Sequence, residues 1–206
     1  MLTGVILAGG RNSRMNGYNK ALLLYKEERF IVRQVRLMRE LCRKIIIVTE
    51  TPDVIKAHVK NEVVYVADIH PGNGPLGGLQ AAFQTVDTEF AWVVGCDYPE
   101  PSPRAAKLML ERLRKSHYDA VIPVAGRSHQ MLHGVYRPKP LLQEITVRMD
   151  AGIYRLSGLL DSIRWLPLEE EDWRQAGIDL KFTRDVDTPE QYLELLSAGD
   201  KGGGGS

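Results

Sequence analysis

Apolar and polar positions alternate in blocks along this chain. Residues 5–8, 45–48, 63–67, 90–95 and 120–123 are short, mostly aliphatic and β-branched runs. Such runs predict strands buried on both faces. Between them apolar residues recur near the helical period. Phe30, Val32, Val35, Leu37, Met38 and Leu41 predict a helix over 29–42. Pro52 suits the first turn of a short helix reaching about His58. Further helices are expected over 76–86, over 103–116 (apolar face Leu108, Met109, Leu113) and over 138–149. Residues 132–136 read as a strand, 155–162 as helical, 163–167 as extended and 181–183 as a short strand. The acidic run 169–172 reads as a solvated face. A last helix over 189–196 would be capped by Asp187 or Thr188.

Strand–helix alternation of this kind is the pattern of an α/β domain with a mainly parallel sheet. Ligands of such sheets bind beyond the carboxyl ends of the strands. Gly9-Gly10, Thr49-Glu50, Asp68 and Asp97 all fall at such ends. No internal repeat is visible, and 138–180 is the less regular stretch where a subdomain would lie.

Composition narrows this picture. At 206 residues, 44% of them hydrophobic, one domain with a full core is expected. Lys+Arg 27 against Asp+Glu 26 leaves a net charge of +1, so no global field draws the chain to nucleic acid or membrane. Any anion site must be local. Cys42 and Cys96 belong to no CxxC, which suggests a reducing compartment and a cytoplasmic protein. No apolar run nears the ~20 residues that span a bilayer. Residues 1–3 lead straight into a strand, leaving no room for a signal peptide. Residues 199–206, ending in Gly-Gly-Gly-Gly-Ser, read as a flexible tail or linker.

The chemistry begins at Gly9-Gly10. Two glycines at the end of a buried strand let the backbone approach a ligand and turn N–H groups toward it. Arg11, Arg14 and Lys20 follow on the same loop, which makes that ligand an anion. The spacing does not fit Gly-x4-Gly-Lys-Ser/Thr, because Tyr18 follows Gly17, nor G-x-G-x-x-G. Asp97, at a strand end before Pro99, either caps the next helix or holds Mg²⁺ beside a polyphosphate. Asp187 carries the same alternative, with Asp185 as its competitor for a metal. Gly72, Gly74, Gly77 and Gly78 bracket Pro75 and Leu76 in a loop that offers backbone groups to a flat base, or else makes a tight turn against a helix. The histidines show no zinc spacing, and His129 and His133 read as surface or second-layer residues. Arg148, Arg155 and Lys139 are candidates for a second anion, against ordinary surface charge.

Taken in order, Leu7-Ala8-Gly9-Gly10, Arg14-Met15, Lys20-Ala-Leu-Leu23, Gly74-Pro75-Leu76-Gly77-Gly78, Gly95-Cys-Asp97-Tyr-Pro99 and Asp187-Thr-Pro-Glu190 resemble the molybdenum cofactor guanylyltransferases of the nucleotidyltransferase superfamily. The resemblance spans nearly all of 2–197, and Gly-Pro-Leu-Gly-Gly points to guanylyl rather than cytidylyl members. It implies a three-layer α/β/α Rossmann-like nucleotidyltransferase domain over 1–198. It also implies transfer of GMP from GTP to molybdopterin with Mg²⁺ and release of pyrophosphate. By resemblance, the backbone of Leu7, Ala8 and Gly9 meets the nucleotide and Lys20 its phosphates. Thr49 is a further nucleotide contact, Asp68 holds the nucleoside, and Asp97 binds Mg²⁺. Arg155 belongs to the molybdopterin side, with Asp185 and Asp187 near it. Molybdenum-insertion proteins and molybdoenzymes are the implied partners. One departure stands out: the family pattern Asn-x-Asn-Thr-Pro-Glu is here Asp185-Val-Asp187-Thr-Pro-Glu190. Asp187 can still face a metal, but neither aspartate supplies an amide donor. The rivals are a cytidylyltransferase, a sugar-phosphate nucleotidyltransferase and a non-catalytic nucleotide-binding protein.

Overall fold

The computed structural model describes residues 1–9, 19–60, 62–68 and 74–200. Gly10, Arg11, Arg14 and Gly72, and with them part of both expected loops, lie outside the described residues. Strand β1 is Leu2–Leu7, followed by a 3₁₀ turn at Lys20–Leu22. A hairpin of β2 (Leu24–Tyr25) and β3 (Glu28–Arg29) leads into helix α1 (Phe30–Met38). Then come β4 (Lys44–Val48), α2 (Pro52–Lys56), β5 (Val64–Val66), α3 (Pro75–Thr85), β6 (Phe90–Gly95) and α4 (Pro103–Arg114). The second half holds β7 (Ala120–Ala125), β8 (Ser128–His129), β9 (Val135–Tyr136), α5 (Pro138–Asp150), β10 (Trp165–Leu168), α6 (Glu170–Gln175) and α7 (Pro189–Asp200).

The main sheet runs β10-β7-β9-β6-β1-β4-β5, with β8 paired to β7. β1 pairs in parallel with both β4 and β6, β4 with β5, and β10 with β7. β9 is antiparallel to β6 and β7. This is the mostly parallel α/β sheet that the alternation predicts. The two-residue side-chain period divides the core cleanly. Ile6, Ile45, Ile47, Trp92 and Val94 face one side, against Ile31, Val35 and Met38 of α1 and Met109 and Leu113 of α4. Val5, Leu7, Ile46, Val48 and Val93 face the other, against Leu79 and Phe83 of α3 and Leu141 and Ile145 of α5. A helical layer on each face gives the three-layer arrangement. A third cluster of Tyr25, Phe30 and Val186, with Tyr192, Leu195 and Leu196 against it, seats α7 on the β2–β3 hairpin. Stretch 138–180 contributes α5 to the core and β10 to the same sheet.

Several local expectations are corrected. Residues 132–136 are not one strand: Met131–His133 is a 3₁₀ turn and only β9 is extended. A Cβ on the intervening Gly134 would lie 2.9 Å from the Tyr136 ring, so the chain bends where only glycine clears it. Residues 181–183 are not a strand but part of a 3₁₀ turn, Leu180–Thr183. Local bonds win there: the Lys181 N–H donates to Asp179 Oδ1 (2.8 Å), and the Thr183 hydroxyl donates to Leu180 O (2.8 Å). The exposed acidic run 169–172 opens α6, where the Glu169 N–H donates to Asp172 Oδ2 (2.8 Å) in a capping box. The helix over 29–42 stops at Met38, with Cys42 buried just beyond it. His133 is not a surface residue. It is fully buried between Trp92, Tyr98 and Phe182, and burial pushes its imidazole down to about 3, so it stays neutral.

One polar residue on the buried face of α1 ties this core to the end of β6. The Gln34 amide donates to Gly95 O (2.8 Å) and to Tyr98 O (2.7 Å), the two carbonyls that bracket Asp97. Gln34→Leu keeps the volume and removes both donors, which outweighs release of its own unpartnered Oε1. The expected loss is about 2 kcal/mol, read as a lower urea midpoint with unchanged slope.

Candidate active site

The strand ends set the stage. Leu7 is in register with Val48 on one side and Gly95 on the other. The ladder continues just past them: the Ala8 N–H donates to Val48 O (2.8 Å), the Cys96 N–H to Leu7 O (3.0 Å) and the Thr49 N–H to Val66 O (2.9 Å). Ala8-Gly9, Thr49, Asp68 and Asp97 therefore leave the sheet along one edge, where β1 separates the β4–β5 side from the β6 side. That is the topological switch point at which open α/β sheets bind ligands.

On the β6 side stands a charged cluster. One carboxylate oxygen each of Asp97, Asp185 and Asp187 lie within 4.8 Å of one another. Asp97 is placed by the turn after β6. A Cβ on Gly95 would fall 2.4 Å from Asp97 Oδ1, so only glycine lets the carboxyl fold back there. The Val186 N–H donates to Asp97 O (2.9 Å), and the Val186 side chain is buried, which leaves Asp185 and Asp187 flanking it at the cluster. Lys20 arrives from the 3₁₀ turn that Asn19 caps (Ala21 N–H to Asn19 Oδ1, 3.0 Å). Its ammonium donates to Asp187 Oδ1 at 2.5 Å, with the lysine side chain only 12% exposed.

Electrostatics follow from this crowding. Burial first, then the negative charge of Asp187, pushes the Asp97 carboxyl up to about 6, while Lys20 pulls the other way. Burial and Asp187 also raise Asp185. Asp97 Oδ1 is sealed from solvent and has no hydrogen-bond partner among the described residues. Cys96 is no nucleophile: burial, then Asp97, pushes its thiol up to about 12. Hard carboxylate oxygens, one of them orphaned, fit a hard divalent cation.

On the β4–β5 side the surroundings are glycine and backbone. Pro75 is the first residue of α3, so Pro75, Leu76, Gly77 and Gly78 form its first turn, and the helix expected from residue 76 begins one residue earlier. Gly74 caps it at φ +88, a conformation open to glycine. A Cβ on Gly78 would meet Leu7 Cδ2 (3.5 Å), Val48 Cγ1 (3.6 Å) and Asp68 Oδ2 (3.8 Å). The helix start is thereby pressed onto the strand ends beside Asp68. Gly9 differs, since a Cβ there would meet none of the described residues within 4 Å. Thr49 is buried, and its hydroxyl accepts from the Thr51 N–H (3.1 Å), so it shapes the turn after β4.

The remaining candidates separate. Thr188, not Asp187, caps α7: its hydroxyl accepts from the Gln191 N–H (3.3 Å), and Gln191 Oε1 accepts from the Asp187 (2.7 Å) and Thr188 (3.0 Å) N–H groups. Arg148 is taken up inside the fold by Glu144 (2.9 Å), Ser162 (2.5 Å) and Gly158 O. Arg155 is exposed on the loop after α5, next to Tyr154, whose carbonyl lies 3.6 Å from a Cβ built on Gly74. Lys139 is exposed on α5. Gln34, Val186 and Gln191 position the site and were not singled out from sequence, whereas Gly95 stands in the Gly95-Cys-Asp97-Tyr-Pro99 motif. For Gln34 a signal existed, a polar residue within the apolar stripe of Ile31, Val35 and Met38.

Known proteins fit this geometry. A Bacillus mycoides protein named "Probable molybdenum cofactor guanylyltransferase" is 29% identical over 195 residues, 93% of this chain and 94% of that protein. A Pelotomaculum thermopropionicum protein of the same name is 32% identical over 193 residues, 93% of this chain and 90% of that one. The crystal structure of molybdopterin-guanine dinucleotide biosynthesis protein A from Archaeoglobus fulgidus has the same fold. It matches at a TM-score of 0.81 and 19% identity, over 97% of this chain and 99% of that one. The family profile described as MobA-like NTP transferase domain matches residues 4–163, and the chain belongs to that family.

Proposed function

We propose that this enzyme transfers GMP from GTP to molybdopterin, releasing pyrophosphate and forming the guanine dinucleotide. The observation that carries the reading is the meeting of Lys20 with Asp97 and Asp187 beyond the ends of β1 and β6, on an edge whose other end is the glycine-lined start of α3. Full-length similarity to proteins named as guanylyltransferases supports the same substrates.

The division of labour follows from position. The triphosphate lies toward Lys20, with Arg14 and Gly10 of the glycine loop as further anion contacts. The backbone of Leu7, Ala8 and Gly9 lies along it, and no described residue crowds a Cβ position at Gly9, which favours close approach. The nucleoside lies toward Asp68 and Thr49, its base against the first turn of α3 at Gly74, Pro75, Leu76, Gly77 and Gly78. Molybdopterin enters from the side of Arg155 and Asp185. A phosphate oxygen of molybdopterin forms the new bond to the α-phosphorus, and the bond to the pyrophosphate oxygen breaks. No general base is required, because a phosphate monoester is already ionised near neutrality (second pKa ~6). This chain contributes alignment of two anions and neutralisation of the leaving group by Lys20 and Arg14. Asp97 and Asp187 would hold Mg²⁺, which when bound supplies positive charge at the reacting phosphates. The free thiols Cys42 and Cys96 suit a reducing, cytoplasmic setting.

A pyrophosphate-release assay with purified molybdopterin, Mg²⁺ and either GTP or CTP tests the reading. GTP should support release and CTP should not, and Lys20→Ala and Asp97→Ala should each lower the rate at least ~100-fold with circular dichroism unchanged. Normal turnover in either variant, or a preference for CTP, would sink the assignment.

The cluster has a stability cost that is separately measurable. With its folded-state carboxyl near 6 and an unfolded value near 3.8, Asp97 binds more protons folded than unfolded between those values. Its contribution therefore falls as pH rises from about 4 to about 6 and stays low above that. In chelator-treated protein, Asp97→Asn should be the more stable form above pH 6, by up to ~3 kcal/mol, and the gap should close by pH 4. Thermal melts across that range check the sign.

A further inference from the structure

The function proposed above asks only Asp97 and Asp187 to hold a cation. Asp185 and Lys20 say more about how that cation is admitted. Asp185 lies two residues before Asp187, on the segment that Val186 fastens to Asp97 O at 2.9 Å. Oxygens of all three aspartates fall within 4.8 Å of one another. A divalent ion with metal–oxygen bonds of ~2.1–2.4 Å spans opposite ligands at roughly 4.2–4.8 Å, so the three oxygens are close enough for one ion to draw them into a shared coordination sphere. An independent observation points to the same ligand. The Asp97 Oδ1 is sealed from solvent, and among the described residues it has no hydrogen-bond partner. A buried acceptor of this kind is costly unless a cation or donor faces it.

The position is contested by the protein itself. The Lys20 ammonium, on a side chain only 12% exposed, sits 2.5 Å from Asp187 Oδ1. An ion bound to that same oxygen would stand within about 4–5 Å of the ammonium, a distance at which like charges repel. Resting on the reading that Lys20 serves nucleotide phosphates, we infer that Lys20 is the resident cation of a three-carboxylate site. A divalent ion enters as Lys20 exchanges Asp187 for those phosphates. Cation and triphosphate then load as a coupled pair, and the coupling is reciprocal: each raises the affinity of the other by the same factor.

Mn²⁺ is the probe, titrated into the intact chain and followed by electron paramagnetic resonance of the free ion, first without nucleotide. Lys20→Met keeps the apolar stem and removes the charge. It should bind Mn²⁺ at least tenfold more tightly than the unaltered protein. Lys20→Gln should do the same, which guards against a packing artefact of one variant. In the Lys20→Met background, Asp185→Asn should weaken Mn²⁺ at least tenfold. A non-hydrolysable GTP analogue should tighten Mn²⁺ in the unaltered protein and much less in Lys20→Met. Equal Mn²⁺ affinity with and without the Lys20 charge overturns the exchange, and indifference to Asp185→Asn overturns the third ligand. The two readings fail separately. Pyrophosphate release without a Lys20→Met gain removes this inference alone. A gain together with no release from GTP and molybdopterin removes the proposed substrates alone.

Discussion

Leu7 is in register with Val48 and Gly95 at once, and this double pairing decides where everything else stands. Three parallel strands end level, and their ladder bonds run on by one residue, through Ala8 to Val48 and Cys96 to Leu7. The backbone at the edge is thus already satisfied, and the residues beyond it can face a ligand. A slip of one residue would also turn Ile46 and Val48 from one core face to the other, so the two apolar layers lock the register. The same layers hold the strand ends level. Core packing and site geometry are one constraint here.

The edge is polarised along its length. Toward β6 lie three carboxylates and Lys20, and toward β4 and β5 lie the α3 terminus, Gly78 and Asp68. The chain carries a net charge of only +1, so this polarity is made by placement and not by composition. Like charges do not gather unaided. Gln34 pins the carbonyls on either side of Asp97, Gly95 leaves room for its carboxyl, and Val186 draws Asp185 and Asp187 in. Each constraint acts on backbone, where rigid hydrogen bonds hold groups that their own charges would push apart.

That division explains what could be read from the sequence. The strands were legible because a strand buried on both faces is an unbroken apolar run, as in 45–48 and 90–95. The helices were legible from their period, and Asp68, Asp97 and Gly9 from their place at strand ends. The β2–β3 hairpin was not, since its turn places Lys26 and Glu27 at positive φ with neither glycine nor asparagine to announce it. Residues 181–183 carried a plausible strand pattern that Asp179 overrode by capping a 3₁₀ turn. The sequence left His133 between a surface and a second-layer place because a lone histidine gives no sign of the aromatic residues around it. Asp187 and Thr188 were equal candidates for a cap until Gln191, four and three residues on, took up both of their N–H groups. Such choices rest on partners that periodicity does not reveal.

The release of Asp187 from capping has a structural consequence. Lys20 and Asp187 are 167 residues apart in sequence, and their contact brings the first loop to the start of the last helix. Among the described residues that helix is held by Tyr192, Leu195 and Leu196 against Tyr25, Phe30 and Val186, with the Tyr192 ring 6.2 Å from Phe30 and its hydroxyl donating to Leu24 O at 2.7 Å. Leu193 on its outer face is 62% exposed, so α7 has little core of its own. The acidic segment therefore sits between a firmly packed sheet, through Asp97, and a lightly packed helix, through Asp187. Any ligand that bridges those two aspartates binds the folded arrangement and not the separated one, and so stabilises the docking of α7 by mass action. A cation held between Asp97 and Asp187 would therefore share one equilibrium with the attachment of the last helix.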